Sequence, residues 1–212
     1  MFMTESSSDT ALGDQLRQGN EQSLAEMFLK HGERFRRIIH FRMDDRLHGR
    51  VDPDDVLQEA YLAAAKRLDH FAQSDISAFV WLRLIVGQTL IDIHRRHIGA
   101  QARDAGREIP IHGMGGGKTT SASLAQALMG SFTSPSHAVA RDELALQLAQ
   151  VIDELEPIDR EILALRHFEE LSNLEISEVL KIQQKAASIR YIRALKRLKS
   201  KLAGQPGFEE TE

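Results

Sequence analysis

Between Lys181 and Leu202 the chain carries Lys181, Lys185, Arg190, Arg193, Lys196, Arg197, Lys199 and Lys201, and not one acid. A cationic run of this kind suits phosphate neutralisation, the term that dominates the affinity of proteins for nucleic acid. Wound as a helix, the segment turns Ala187, Tyr191, Ala194 or Leu195, Leu198 and Leu202 inward. The opposite face presents Lys185, Ile189, Ile192, Arg193 and Lys196, with Gln184 and Ser188 flanking the helix start. A recognition helix reads base edges from its N-terminal half while its basic flanks hold the backbone. Ile189 and Ile192 are out of place on a merely solvated face and suit thymine methyl groups in a major groove. The same pattern also fits a basic helix packed on its own domain or facing solvent.

A second patch has the opposite character. Asp55, Gln58, Glu59 and Leu62 stand at i, i+3, i+4 and i+7, one face of a helix. Polar and acidic groups beside a leucine make a protein-docking surface, or else the solvated side of an ordinary amphipathic helix. Further acids crowd Asp142 to Glu161, so the net charge of -4 conceals a strong separation of sign.

Two other constellations fail on spacing. The run from Gly115 through Lys118 to Thr120 invites a phosphate-loop reading, but that motif needs a glycine five residues before Gly117, where His112 stands. A nucleotide-dependent enzyme would show ATP binding that is lost in Lys118→Ala, and the sequence gives no expectation of it. His94 and His97 are three apart with no third ligand nearby, so neither a metal nor a cofactor is expected.

These groups need a scaffold, and the composition favours helices. Leu, Ala, Arg, Glu and Ile are the commonest residues, while aromatics are 6% with one tryptophan, Trp81. The 212 residues suffice for one large or two small domains. With no cysteine, a polar acidic start unlike a secretory signal and no apolar run of the ~20 residues that span a membrane, the expectation is a cytoplasmic protein.

Periodicity predicts helix over 10–47, as two helices breaking near His31-Gly32. Asp52 caps and Pro53 opens the next helix, whose buried stripe is Val56, Leu57, Ala60, Tyr61, Ala64 and Leu68. Asp69 to Ser77 reads as a loop. A long helix follows through Phe79, Leu82, Val86, Leu90 and Ile93 to the cluster His94, Arg95, Arg96 and His97. Residues 99–137, rich in Gly, Ser and Thr, read as a flexible linker with a short helical patch at 123–128. Helices resume at 138–155, from Pro157 through Phe168, at 173–180 and at 184–202. Only Lys181, Ile182 and Gln183 join the last two, the spacing of a helix-turn-helix. The expectation is an all-α chain of two small helical domains, 1–98 and 138–202, with a disordered tail at 203–212.

The stretch Leu171 to Leu198 resembles region four of the sigma-70 family, which reads the promoter −35 element with this helix. By that resemblance Ser188, Ile189, Ile192 and Arg193 stand at base and phosphate contacts, and with Gln184, Lys185, Arg190 and Lys196 of the same basic helix they are the expected −35 contacts. Lys181 stands where the family has a turn glycine, and Ala186 where it has a threonine. Asp54 to Leu62 is similar to region two, which docks on the clamp helices of the largest polymerase subunit; Asp55, Gln58, Glu59 and Leu62 carry that role.

Phe79 to Arg96 resembles the segment that melts and captures the −10 element. Phe71 and Gln88 would then line the base pocket, and Arg83, Arg95 and Arg96 would hold phosphates, assisted by His94 and His97. The family more often has asparagine at the Gln88 position. Phe79 and Trp81 belong to the core. The resemblance implies the small extracytoplasmic-function (ECF) class of sigma factor: a sigma region 2 bundle, a linker and a region 4 helix-turn-helix. Its partners are core RNA polymerase, through the clamp helices and the second-largest subunit's flap, promoter DNA, and in regulated cases an anti-sigma factor. The chain itself would catalyse nothing. The alternative is a helix-turn-helix transcriptional regulator acting without being a polymerase subunit.

Overall fold

The computed structural model describes residues 7–98, 118–130 and 138–203. Its described residues form helices α1 Ser7–Arg17, α2 Glu21–Arg42, α3 Pro53–Ala65, α4 Leu68–Ala72, α5 Ala78–Ile98, α6 Lys118–Gly130, α7 Ala138–Asp153, α8 Pro157–Leu163, α9 Asn173–Leu180 and α10 Gln184–Leu202. None of the described residues is in a strand. The chain divides into two compact units between residues 115 and 116. The expected all-α class holds.

In the first unit α2 is the central element. Gly19, at φ +80, turns the chain, and the Asn20 side chain then accepts from the backbone N–H groups of Gln22 and Ser23 at 2.9 and 3.3 Å. The break between the first two helices therefore lies at Gly19-Asn20 and not at His31-Gly32, through which α2 runs without interruption. Its buried stripe Leu24, Met27, Phe35, Ile38 and Ile39 stays in phase across Gly32, and that burial outweighs the weak helix propensity of one glycine. Phe35 stacks on Phe79 of α5 with centroids 5.2 Å apart, and Phe28 meets Tyr61 of α3 edge-on at 5.3 Å. Asp52 caps α3 by accepting from Asp54 N–H at 2.8 Å, with Pro53 at the first turn as the sequence predicts. The expected loop at 69–77 begins later, because Leu68 and Phe71 are buried together on the short helix α4.

In the second unit α6 and α7 pack on each other, α8 and α9 both pack on α10, and α6 also touches the segment Ala164–Phe168. Helix α6 is longer than the helical patch expected at 123–128. Leu124, Ala125, Leu128 and Met129 give it an apolar stripe that is fully covered, and Ser121 Oγ donates to Asp153 at 2.7 Å. The parts of the expected linker at 99–117 and 131–137, and the expected tail from 204 onward, lie outside the described residues.

Helix α8 continues into a π-helical turn, Ala164–Phe168, closed by Glu169 N–H donating to the Ala164 carbonyl at 3.0 Å. Two helices of the expected helix-turn-helix, α9 and α10, have the predicted bounds. A reciprocal capping box fixes the start of α9: Glu175 N–H donates to Ser172 Oγ at 3.2 Å, and Ser172 N–H donates to the Glu175 carboxylate at 2.6 Å. Lys181 ends α9 at φ +53, the left-handed conformation that a glycine adopts without steric cost.

Candidate nucleic-acid and docking interfaces

Burial of Ala187, Ala194 and Leu198 fixes the rotation of α10. Its inward stripe is the expected one, resolved in favour of Ala194. Tyr191, expected fully inward, is half-buried instead: its hydroxyl lies 3.0 Å from His167 Nε2, and the Arg166 guanidinium sits over its ring. Burial, reinforced by the charge of Arg166, lowers the pKa of His167, so its ring favours the neutral form. Burial also raises the Tyr191 hydroxyl, with Arg166 opposing the shift.

With the helix so oriented, the expected contact residues stand on its outer side. Gln184, Lys185, Ile189, Ile192, Arg193 and Lys196 are exposed, and Ser188 and Arg190 are half-buried at the flanks. Ile189 and Ile192 are 44% and 48% exposed. Two cations further along have structural duties. Arg197 pairs with the buried carboxylate of Asp159 on α8, and Lys201 Nζ lies 2.7 Å from Glu154. These bonds brace the C-terminal end of α10 and leave the face from Gln184 to Lys196 presented.

In the first unit Asp55, Gln58, Glu59 and Leu62 are all exposed on one side of α3, as their spacing predicts. Leu62 is 58% exposed. On α2, which packs on α3 through Phe28 and Tyr61, Leu29 is exposed as well. Sequence reasoning missed Leu29; its place out of phase with the buried stripe of α2 was the available signal. Asp54 turns toward α2, where it accepts from Arg36 Nε at 2.6 Å.

The expected −10 residues divide. Arg95 and Arg96 are exposed near the end of α5, beside exposed His97, and the Arg96 guanidinium pairs with Glu59. His94 is half-buried, 3.4 Å from Asp44, whose carboxyl is held well below the usual range by hydrogen bonds from Arg46. Arg83 does not stand on this surface. It is buried, because it falls on the inward side of α5 between Leu82 and the next core turn, Ile85 and Val86.

Phe71 is also withdrawn. Its ring is fully buried, stacked on Trp81 with centroids 4.6 Å apart and covered by the Arg17 guanidinium. A pocket of about 370 Å³ does contain Gln88, together with Arg67, His70, Trp81, Leu84 and Ile85. Gln88 Nε2 donates to Asp92 at 3.0 Å, which orients its amide along the rim. Trp81 thus serves the core and lines the pocket at once. Trp81, Leu84, Ile85 and Gln88 at i, i+3, i+4 and i+7 were the signal that would have found this wall.

Among the described residues no group of His, Asp and Glu could hold a metal, and no helix is long and apolar enough to cross a membrane. Lys118, from the glycine-rich run, opens α6, and Gly115 to Gly117 lie outside the described residues.

Residues 145–198 match the family described as sigma-70, region 4. No curated protein matches the chain. Among solved structures the chain is similar to that of CnrH in complex with the cytosolic domain of CnrY, at 23% identity and a TM-score of 0.51, over 93% of this chain and 99% of the other. The match to region 4 spans most of α7 through most of α10 and so contains every residue of the presented α10 face. Residues 145–198 are thus similar to sigma-70 region 4, and the chain's all-helical fold is similar to that of the CnrH structure.

Proposed function

We propose that this chain is a sigma factor of the extracytoplasmic-function class, which binds core RNA polymerase and directs it to promoters through −10 and −35 elements. The observation that carries the proposal is the outward face of α10: exposed, rich in cations, free of acids, and inside the region 4 match. In this reading Gln184, Lys185, Ser188, Ile189, Arg190, Ile192, Arg193 and Lys196 meet the −35 duplex, with the cations on phosphates.

Asp55, Gln58, Glu59 and Leu62, joined by Leu29, dock on the polymerase clamp. The pocket around Gln88 and Trp81 is large enough for one flipped base, with an aromatic wall for stacking and an amide for its edge. Arg95 and Arg96 hold the adjacent backbone. Capture of a flipped base supplies strand-opening free energy without nucleotide hydrolysis, so the chemistry of RNA synthesis stays with the polymerase. The proposed setting is the cytoplasm. Likeness to a CnrH structure containing the cytosolic domain of CnrY supports an anti-sigma partner as well.

Co-purification tests the reading against an independent helix-turn-helix regulator. The proposal expects the tagged chain to form a stable complex with core polymerase in the absence of DNA. Specific duplex binding by the chain with no affinity for core would favour the regulator.

A further inference from the structure

Resting on that reading and deepening it, we infer that Ile189 and Ile192 read the C5-methyl groups of thymines at neighbouring base pairs of the −35 duplex. Methyl groups, and not hydrogen bonds alone, then determine which promoters are chosen.

Three observations converge. Both side chains are exposed, at 44% and 48%, while the buried side of the same helix is made of Ala187, Ala194 and Leu198. Neither isoleucine is among the buried residues of α10. Isoleucine is also a weaker helix former than the alanines beside it, so local propensity does not account for two of them on an outer face. Lastly, the two sit between Lys185, Arg193 and Lys196 on a helix without acids. An apolar pair framed by cations complements a polyanion carrying apolar groups, and the major groove of DNA presents one such group, the thymine methyl.

Geometry narrows the site. Residues at i and i+3 hold their Cβ atoms about 5–6 Å apart. Successive base pairs are about 3.4 Å apart along a strand. The pair therefore spans one to two base steps. An isoleucine side chain has no donor or acceptor, so it discriminates only through contact with the methyl.

The test uses the full chain reconstituted with core polymerase on a promoter located by start-site mapping. Each −35 thymine is replaced in turn by deoxyuridine, which removes the methyl and keeps every hydrogen-bonding group. One or two neighbouring replacements should weaken promoter binding about fourfold each, equivalent to about 0.8 kcal/mol for one buried carbon. In Ile189→Ala and Ile192→Ala, each variant should lose the sensitivity at one of these positions and retain it at the other. A holoenzyme that initiates normally yet tolerates uracil at every position overturns the methyl proposal and leaves the sigma reading standing. Sensitivity that persists unchanged in both variants overturns it too, and failure of the holoenzyme to initiate on any genomic fragment overturns both.

Discussion

Glu59 of α3 and Arg96 of α5 are ion-paired, which joins the proposed polymerase-docking face to the proposed −10 phosphate cluster through a single bond. Both partners are about half exposed, so the pair contributes below ~1 kcal/mol to folding. A double-mutant cycle with Glu59→Gln and Arg96→Gln, read by urea denaturation, should return a coupling of that size that shrinks in high salt. Affinity for core polymerase should respond differently: Glu59→Gln weakens it severalfold, while Arg96→Gln leaves it close to the parent value.

Phosphate contacts should show in the salt dependence. Arg193→Ala and Lys196→Ala each remove one exposed cation from α10, so each should lower the salt slope of promoter binding by about 0.9. Arg197→Ala should behave otherwise, because that guanidinium is engaged with buried Asp159. Its chief effect is lost stability, read as a lower thermal midpoint.

The helix-turn-helix carries one strained and one well-made terminus. Replacing Lys181, at φ +53, with glycine should stabilise the protein by about 1 kcal/mol. Ser172→Ala breaks the capping box and should cost about 1 kcal/mol. Chemical denaturation resolves both, and the two effects should add, since the residues stand at opposite ends of α9.

Stability of the folded chain should fall in mild acid. Burial lowers the His167 pKa below 6.5, so the unfolded chain takes up its proton first as the pH drops. The stabilisation of the neutral ring is complete above the unfolded value and is lost as the pH falls toward the folded one. His31, also lowered by burial, adds to the trend in the same direction. His167→Gln should make the denaturation midpoint less pH-dependent below 6.5 while His31 maintains the remainder.

Most of the helices and the face of α10 were readable in the sequence, because periodic burial and an acid-free cationic run are local properties. Asp52-Pro53 and the three-residue turn at Lys181 likewise signalled helix ends directly. What escaped the reading was decided by tertiary contact. Gly32 reads as a break, yet the apolar stripe continues on both sides and the packing of Phe35 on Phe79 carries the helix through. The patch around 123–128 looks marginal in isolation, and its helix is held by burial against α7.

The same cause separates Phe71 from the pocket. An aromatic in a short polar stretch can serve a site or a core, and only the Trp81 ring stacked upon it decides. Arg83 is the harder case, since a charge between Leu82 and Leu84 gives no local sign of which way it turns.

Start-site-mapped run-off transcription with purified core polymerase tests the central claim most directly. Adding the chain should switch on initiation at a defined set of promoters sharing −10 and −35 sequences, and a Lys185→Ala/Arg193→Ala/Lys196→Ala variant should abolish it while still binding core. Transcription from genomic templates that is the same with and without the chain would contradict the account.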